Sequence, residues 1–219
     1  MRLLTKSVLT LGLAALMATP AMAQGRGGFG FGGRAGLSML LGNPSVQEEL
    51  KLDDSQKDKA REFVEKSREK ATAAREELQG LDQEERFKRM REFMAESNTA
   101  ARKAAAEILK PEQVKRLEGI ELQVAGANAF EEEALQKKLG ITDEQKTAIA
   151  SIVQSSNEEV REIFQNSGDD RQAAMEKIRE HRKETLAKVE GKLTDEQKTK
   201  YKELLGSPFE VKFQPRGGN

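Results

Sequence analysis

A five-residue signature that recurs four times limits what this chain can fold into. Leu193-Thr194-Asp195-Glu196-Gln197 and Ile141-Thr142-Asp143-Glu144-Gln145 are nearly the same, and both continue into Lys-Thr. Leu52-Asp53-Asp54-Ser55-Gln56 and Leu109-Lys110-Pro111-Glu112-Gln113 are looser copies. Each has the form of a helix start. A hydroxyl or carboxylate at N-cap (Thr194, Thr142, Asp53) accepts from the backbone N–H at N3, and the Gln there reaches back to the N-cap N–H. Acidic residues then occupy the first turn, where the helix dipole favours negative charge. Pro111 stands at N1 of the second copy, where its missing N–H costs nothing. The aliphatic residue before each cap has an apolar partner at N4 only for Leu109, in Val114, so the four aliphatics are expected to anchor in a shared core instead.

Between these starts the apolar spacing is helical throughout. Pro44 to Leu50 predicts a short helix with Val46 and Leu50 inward. From Asp54 the pattern runs through Ala60, Phe63, Val64, Ala71, Ala74 and Leu78 to a stop at Gly80. Asp82 with Glu85 caps a returning helix marked by Phe87, Met90, Phe93, Met94, Ala101, Ala104, Ala105 and Ile108. A turn this short makes the two antiparallel neighbours. A third helix carries Val114, Leu117, Ile120 and Val124, and Gly126 to Asn128 breaks it.

The chain then repeats. Val46, Gln47, Leu50, Leu52, Gln56 and Lys57 correspond to Leu135, Gln136, Leu139, Ile141, Gln145 and Lys146, each pair 89 positions apart. Phe63-Val64 matches Ile152-Val153 at the same offset, whereas Leu109 and Gln113 match Leu193 and Gln197 at 84, so the second hairpin is five residues shorter. Its helices are expected over Asp143 to Gln165, inward at Ile149, Ile152, Val153, Val160, Ile163 and Phe164, and over Asp169 to Glu190, inward at Ala173, Met175, Ile178, Leu186 and Val189. Tyr201, Leu204 and Leu205 close a last short helix. Phe209, Val211 and Phe213 alternate with polar residues, which predicts an extended, strand-like tail. The fold class is all-α: tandem antiparallel helical hairpins bracketed by short helices that begin at the signature.

The ends read differently. Arg2 and Lys6, an apolar run from Val8 to Met17 and Ala21-Met22-Ala23 form the tripartite pattern of a cleavable export signal, too short for a lasting membrane anchor. Gln24 to Gly36 is Gly-rich and is expected to be a disordered leader. The expected organisation is therefore a signal peptide at 1–23, the leader at 24–36, a first hairpin repeat at 37–126, a second at 127–206 and an extended tail at 207–219. Loss of residues 1–23 removes two basic residues and no acidic one, which leaves 35 Lys+Arg against 37 Asp+Glu. That balance gives no bulk attraction to nucleic acid or anionic lipid. With no Cys there is neither a disulfide frame nor thiol chemistry. Aromatics make up 5% of the chain and charged residues 34%, which suits helices packed along narrow seams rather than a thick core.

The Leu/Ile-Thr-x-x-Gln copies, placed before and after long hairpins in a signal-bearing chain, resemble the LTxxQ motif of the Spy/CpxP family of periplasmic proteins. The resemblance covers Leu50 to Leu205 and is strongest at Ile141 to Gln145 and Leu193 to Gln197. It implies a thin helical cradle that holds unfolded or misfolded clients without ATP, or that binds a stress-sensor protein as a regulator. Members of that family carry two motifs and pair as dimers. Four motifs in one chain suggest a monomer whose halves stand in for two subunits, with a homodimer as the alternative.

Chemistry finds little purchase. A nucleophile–His relay has only His181 to draw on, and His181, between Glu180 and Arg182, is expected as a half-exposed surface residue. One His does not make a closed zinc site, and Glu131-Glu132-Glu133 point in different directions on a helix. No enzyme, cofactor or metal is expected. The candidate client-binding residues are Phe87, Met90, Phe93 and Met94, with Ile163 and Phe164 as a lesser cluster; these side chains read either as hairpin core or, since a thin hairpin has too little interior for them all, as facing a groove. Flexible Met adapts to varied apolar partners, and Arg86, Lys88, Arg89 and Arg91 would keep a loaded surface soluble. A helical scaffold without clients is the remaining class.

Overall fold

The computed structural model describes residues 36–168 and 170–213, and over these the chain forms nine α-helices and no β-strand. The expected signal peptide, the leader up to residue 35, Asp169 and the tail beyond residue 213 lie outside the described residues. Among the described residues no helix is long and apolar enough to cross a membrane.

Helix α1 (Leu37–Leu41) is an addition to the expected elements, because a five-residue run shows no period. It nonetheless places Leu40 and Leu41 wholly out of solvent. Asn43 caps α2 (Pro44–Glu49), accepting from Ser45 N at 2.9 Å and Val46 N at 3.3 Å. The chain leaves α2 through Lys51 in the left-handed region, φ 52°. Leu52 N then donates to Gln47 O at 3.0 Å, the six-to-one bond of a Schellman-type stop.

Helices α3 (Asp54–Glu77) and α4 (Gln83–Ile108) pack on each other. Their antiparallel sense is fixed at both ends. Gln56 Nε2 donates to Ile108 O at 2.8 Å, and Glu77 meets Arg89 at 3.2 Å near the turn. Gly80 is not the expected left-handed stop: α3 ends at Glu77 and a 3-10 turn over Leu78–Gly80 follows, with Leu78 buried. Asp82 supplies one half of the expected box, accepting from Glu85 N at 2.9 Å.

Helix α5 (Pro111–Ala125) runs into a 3-10 segment, Gly126–Glu131, and then α6 (Glu133–Leu139). α7 (Asp143–Gln165) and α8 (Arg171–Glu190) form the second long pair, and α9 (Asp195–Leu205) follows. α8 starts two residues later than expected because Asp170, accepting from Ala173 N at 3.0 Å, is its cap. Several local bonds recur at the 89-residue offset. Gln47 Nε2 donates to Leu41 O at 2.9 Å, and Gln136 Nε2 donates to Phe130 O at 2.8 Å. Ile141 N donates to Gln136 O at 3.0 Å, and Gly140, φ 66°, stands where Lys51 stands.

Two clusters of buried apolar residues result. One gathers α1, α2 and α5 around Ala60, Ala101 and Ala105; the other gathers the 3-10 segment, α6 and α9 around Ile149, Val153 and Val189. Helices α5 and α9 meet at Gly119, where a Cβ would stand 2.7 Å from Leu205 O and 2.9 Å from Leu204 O. Only a residue without a side chain allows that approach. Gln123 Nε2 donates to Leu205 O at 2.8 Å and Ser207 O at 2.9 Å, while its Oε1 accepts from Phe209 N at 2.8 Å. The tail then crosses to the first cluster. Phe209 and Val211 pack against it half-buried, and Lys212 N donates to Ser45 Oγ at 3.1 Å. The tail forms no strand among the described residues, and Phe213, expected with the other two, is 50% exposed.

Candidate functional site

The caps form largely as the signature demands. Asp53 Oδ1 accepts from Gln56 N at 2.9 Å, and Thr142 and Thr194 Oγ1 accept from Gln145 N and Gln197 N at 3.2 Å. The return bonds run from Asp53 N, Thr142 N and Thr194 N to the three glutamine Oε1 atoms at 3.2, 3.0 and 2.9 Å. Lys110, followed by Pro111 at N1, has no side-chain acceptor, so only the return half exists there, Lys110 N donating to Gln113 Oε1 at 2.9 Å. Leu52, Leu109, Ile141 and Leu193 are all buried. Hydrogen-bonded Lys146 and Lys200 hold the Asp143 and Glu196 carboxyls below their usual values.

The same glutamines do something no single helix start reveals. Gln56 Nε2 donates to Gln113 Oε1 at 2.7 Å, Gln113 Nε2 returns to Gln56 Oε1 at 3.3 Å, and Gln113 Nε2 also reaches Leu50 O at 2.9 Å. Gln145 and Gln197 exchange the equivalent pair at 2.8 and 3.0 Å, while their Nε2 atoms donate to Lys192 O at 2.7 Å and Gly140 O at 3.0 Å. Each amide therefore caps its own helix and locks the start of another. Four signatures become two clasps, one at the base of each long hairpin. Under the second, Tyr201 lies 4.7 Å from Phe130, ring to ring. Burial, with a lesser contribution from Glu190, raises its phenol pKa, and its hydroxyl finds no hydrogen-bond partner among the described residues.

Above the first clasp the arms stay open. Between Ala60 in α3 and Ala101 in α4 the only buried side chain is Leu78 at the turn. Phe63, Val64, Met90, Phe93 and Met94 are half-buried and Phe87 is 61% exposed, so Phe87 is no core residue. Two helices alone cannot close over side chains of that size, which leaves a strip of apolar surface along the arms. Of the second cluster, Ile163 is half-buried, while Phe164, expected inward, is 55% exposed.

Above the second clasp the helices close. Ile149, Val153 and Ser156 of α7 meet Ala174, Ile178, His181, Thr185 and Val189 of α8, all buried. The seam on α8 runs through Ala174 rather than the expected Ala173, and Met175 points out, 55% exposed. His181 is not a surface residue. Its Nε2 lies 2.8 Å from Ser156 Oγ, Ser156 Oγ lies 2.8 Å from Thr185 Oγ1, and Glu159 stands 3.4 Å from Nδ1. A Ser–His–Glu order resembles a nucleophile relay. Both Ser156 and His181, however, sit inside helices whose N–H groups are already bonded, so no paired donors face an oxyanion. Ser156, His181 and Thr185 instead satisfy one another as three buried polar groups across one seam.

Glu133 pairs with Lys137 at 2.6 Å, and among the described residues no group of three His, Cys, Asp or Glu is placed to hold a metal ion. No protein-family model, curated protein or solved structure matches the chain.

Proposed function

We propose that this chain is an exported, ATP-independent holding protein that binds unfolded or misfolded envelope proteins along the α3–α4 arms, without cofactor or covalent chemistry. The observation that carries this reading is the strip formed by Phe87, Met90, Phe93 and Met94. It is apolar, incompletely covered, and stands beyond Phe63 and Val64, which pack on the clasped base. Exposed Arg86, Lys88 and Arg91 flank it, so a loaded surface remains soluble. The export pattern at residues 1–23 and the likeness of the four caps to the periplasmic LTxxQ motif support the compartment. The bonds repeated at the 89-residue offset support a duplicated unit whose halves replace the subunits of a dimer.

The test is suppression of aggregation of an unrelated unfolding protein, without nucleotide. The wild-type chain suppresses it near equimolar ratio. Replacing Met90 and Met94 by Ser, with Phe87→Ser, lowers suppression several-fold while helix content stays constant. Equal loss of both would assign these residues to the core. No suppression at molar excess, with tight stoichiometric binding to one envelope sensor, would make the chain a regulator instead.

A further inference from the structure

A second concave feature lies on the α7–α8 hairpin, away from the arms. Residues 123–128, at the end of α5 and the start of the 3-10 segment, close one end of a groove of about 300 Å³ between α7 and α8. Its floor is Val153, Val160, Ile178 and Leu186, and Ser156 and Thr185 present the edge of the buried polar trio. Arg179, Arg182 and Lys183 line it from α8, and no carboxylate lines it at all. Among the described residues none of these three cations makes an ion pair, although α8 also carries Glu176, Glu180 and Glu184. Arg182 is partly desolvated with no acid to compensate, and its guanidinium pKa falls below the usual value for that reason alone. Three cations without ion pairs, held beside an apolar floor, favour a ligand that brings a negative charge and an apolar body together.

We infer that the groove between α7 and α8 binds a small amphiphile with one anionic head and a single medium-length alkyl chain, the head on Arg179, Arg182 and Lys183 and the chain along Val160, Ile178 and Leu186. A bare inorganic anion would leave the floor wet, and a neutral apolar molecule would leave the three lining cations without a counter-charge. The volume lies at the lower end for small-molecule pockets and is too small for a two-chain lipid. The site is independent of the client-holding reading, which concerns the α3–α4 arms and is scored by a different assay.

The full chain is titrated with decanoate below its micelle concentration, followed by calorimetry and by backbone amide shifts. Saturable binding of one equivalent is expected, with the largest shifts at 124–128, 153–160 and 175–186. Decanol and inorganic phosphate bind at least about tenfold more weakly, and the triple variant R179Q/R182Q/K183Q loses about tenfold or more of decanoate affinity, as removal of charge-assisted bonds requires. All three side chains are exposed, so circular dichroism of the variant matches wild type. The inference is overturned if decanol binds as tightly as decanoate, if phosphate does, if the shifts fall on residues 87–94 instead, or if the triple variant binds unchanged.

Discussion

At the base of α3–α4 and at the base of α7–α8 an equivalent pair of glutamines is clasped, yet the helices above the two clasps bury different things. The α7–α8 seam is filled along most of its length and cross-linked by Ser156, His181 and Thr185. The longer α3–α4 pair buries Ala60, Ala101 and Ala105 near its base and Leu78 at its tip, and exposes or half-exposes its large side chains between. A two-helix hairpin has no third layer, so small or polar seam residues that meet side by side close it, whereas Phe and Met keep it open. One arrangement closes its seam; the other leaves apolar surface uncovered.

Breaking the clasps separates the halves most strongly. Gln113→Ala takes the partner from Leu50 O and Lys110 N, leaves Gln56 Nε2 with Ile108 O alone, and is expected to cost about 3 kcal/mol in denaturant unfolding. Gln145→Ala, at a half-buried position, costs about half of that, and equal losses would mean that the two clasps bear alike on their hairpins. Gly119→Ala acts on the joint between the halves. Its Cβ meets backbone rather than a flexible side chain, so α5 and α9 must part, at about 2 kcal/mol.

Smaller effects sharpen the contrast. Ser156→Ala leaves His181 Nε2 without its shortest contact and is expected to lower stability by about 1 kcal/mol, while Met94→Ser in the open arms leaves unfolding nearly unchanged and lowers client holding. Lys51→Gly relieves a left-handed lysine and raises stability by about 0.5 kcal/mol, whereas Gly140→Ala, with open space around the new methyl, lowers it by about 1 kcal/mol through backbone strain alone. Acid has the least effect. The Glu62, Glu133 and Glu196 carboxyls are held low by hydrogen-bonded lysines, and Glu144 by backbone and Thr142 bonds. The stability they lend is full above the ordinary value of 4.5 and is lost as pH falls through their lowered values. Thermal scans between pH 7 and pH 3 should show a modest decline spread over both hairpins.

Caps and helix direction were legible in the sequence because they depend on residues three positions apart: Thr142 needs only Gln145, and Asp53 only Gln56. The pairing of Gln56 with Gln113 was not, since the partners stand 57 residues apart and either bond set looks complete from its own helix. His181 and Thr185 sit at seam positions of α8 that a count of apolar residues passes over, so apolar spacing alone points to Ala173 and Met175, one residue either side of the buried Ala174. Phe164 shows the converse: helical spacing marks it as inward, yet no second layer exists at that point to bury it. The groove on α7–α8 brings the end of α5 against helices thirty and fifty residues further on, and no local pattern marks it.

Hydrogen exchange read by mass spectrometry, with and without an unfolded client, tests the division of labour most directly. The free chain should exchange faster over residues 61–100 than over 149–156 and 178–189, and client should slow exchange over 83–97 while leaving the second hairpin unchanged. Equal protection of the two hairpins in the free chain, or client protection confined to α7 and α8, would contradict it.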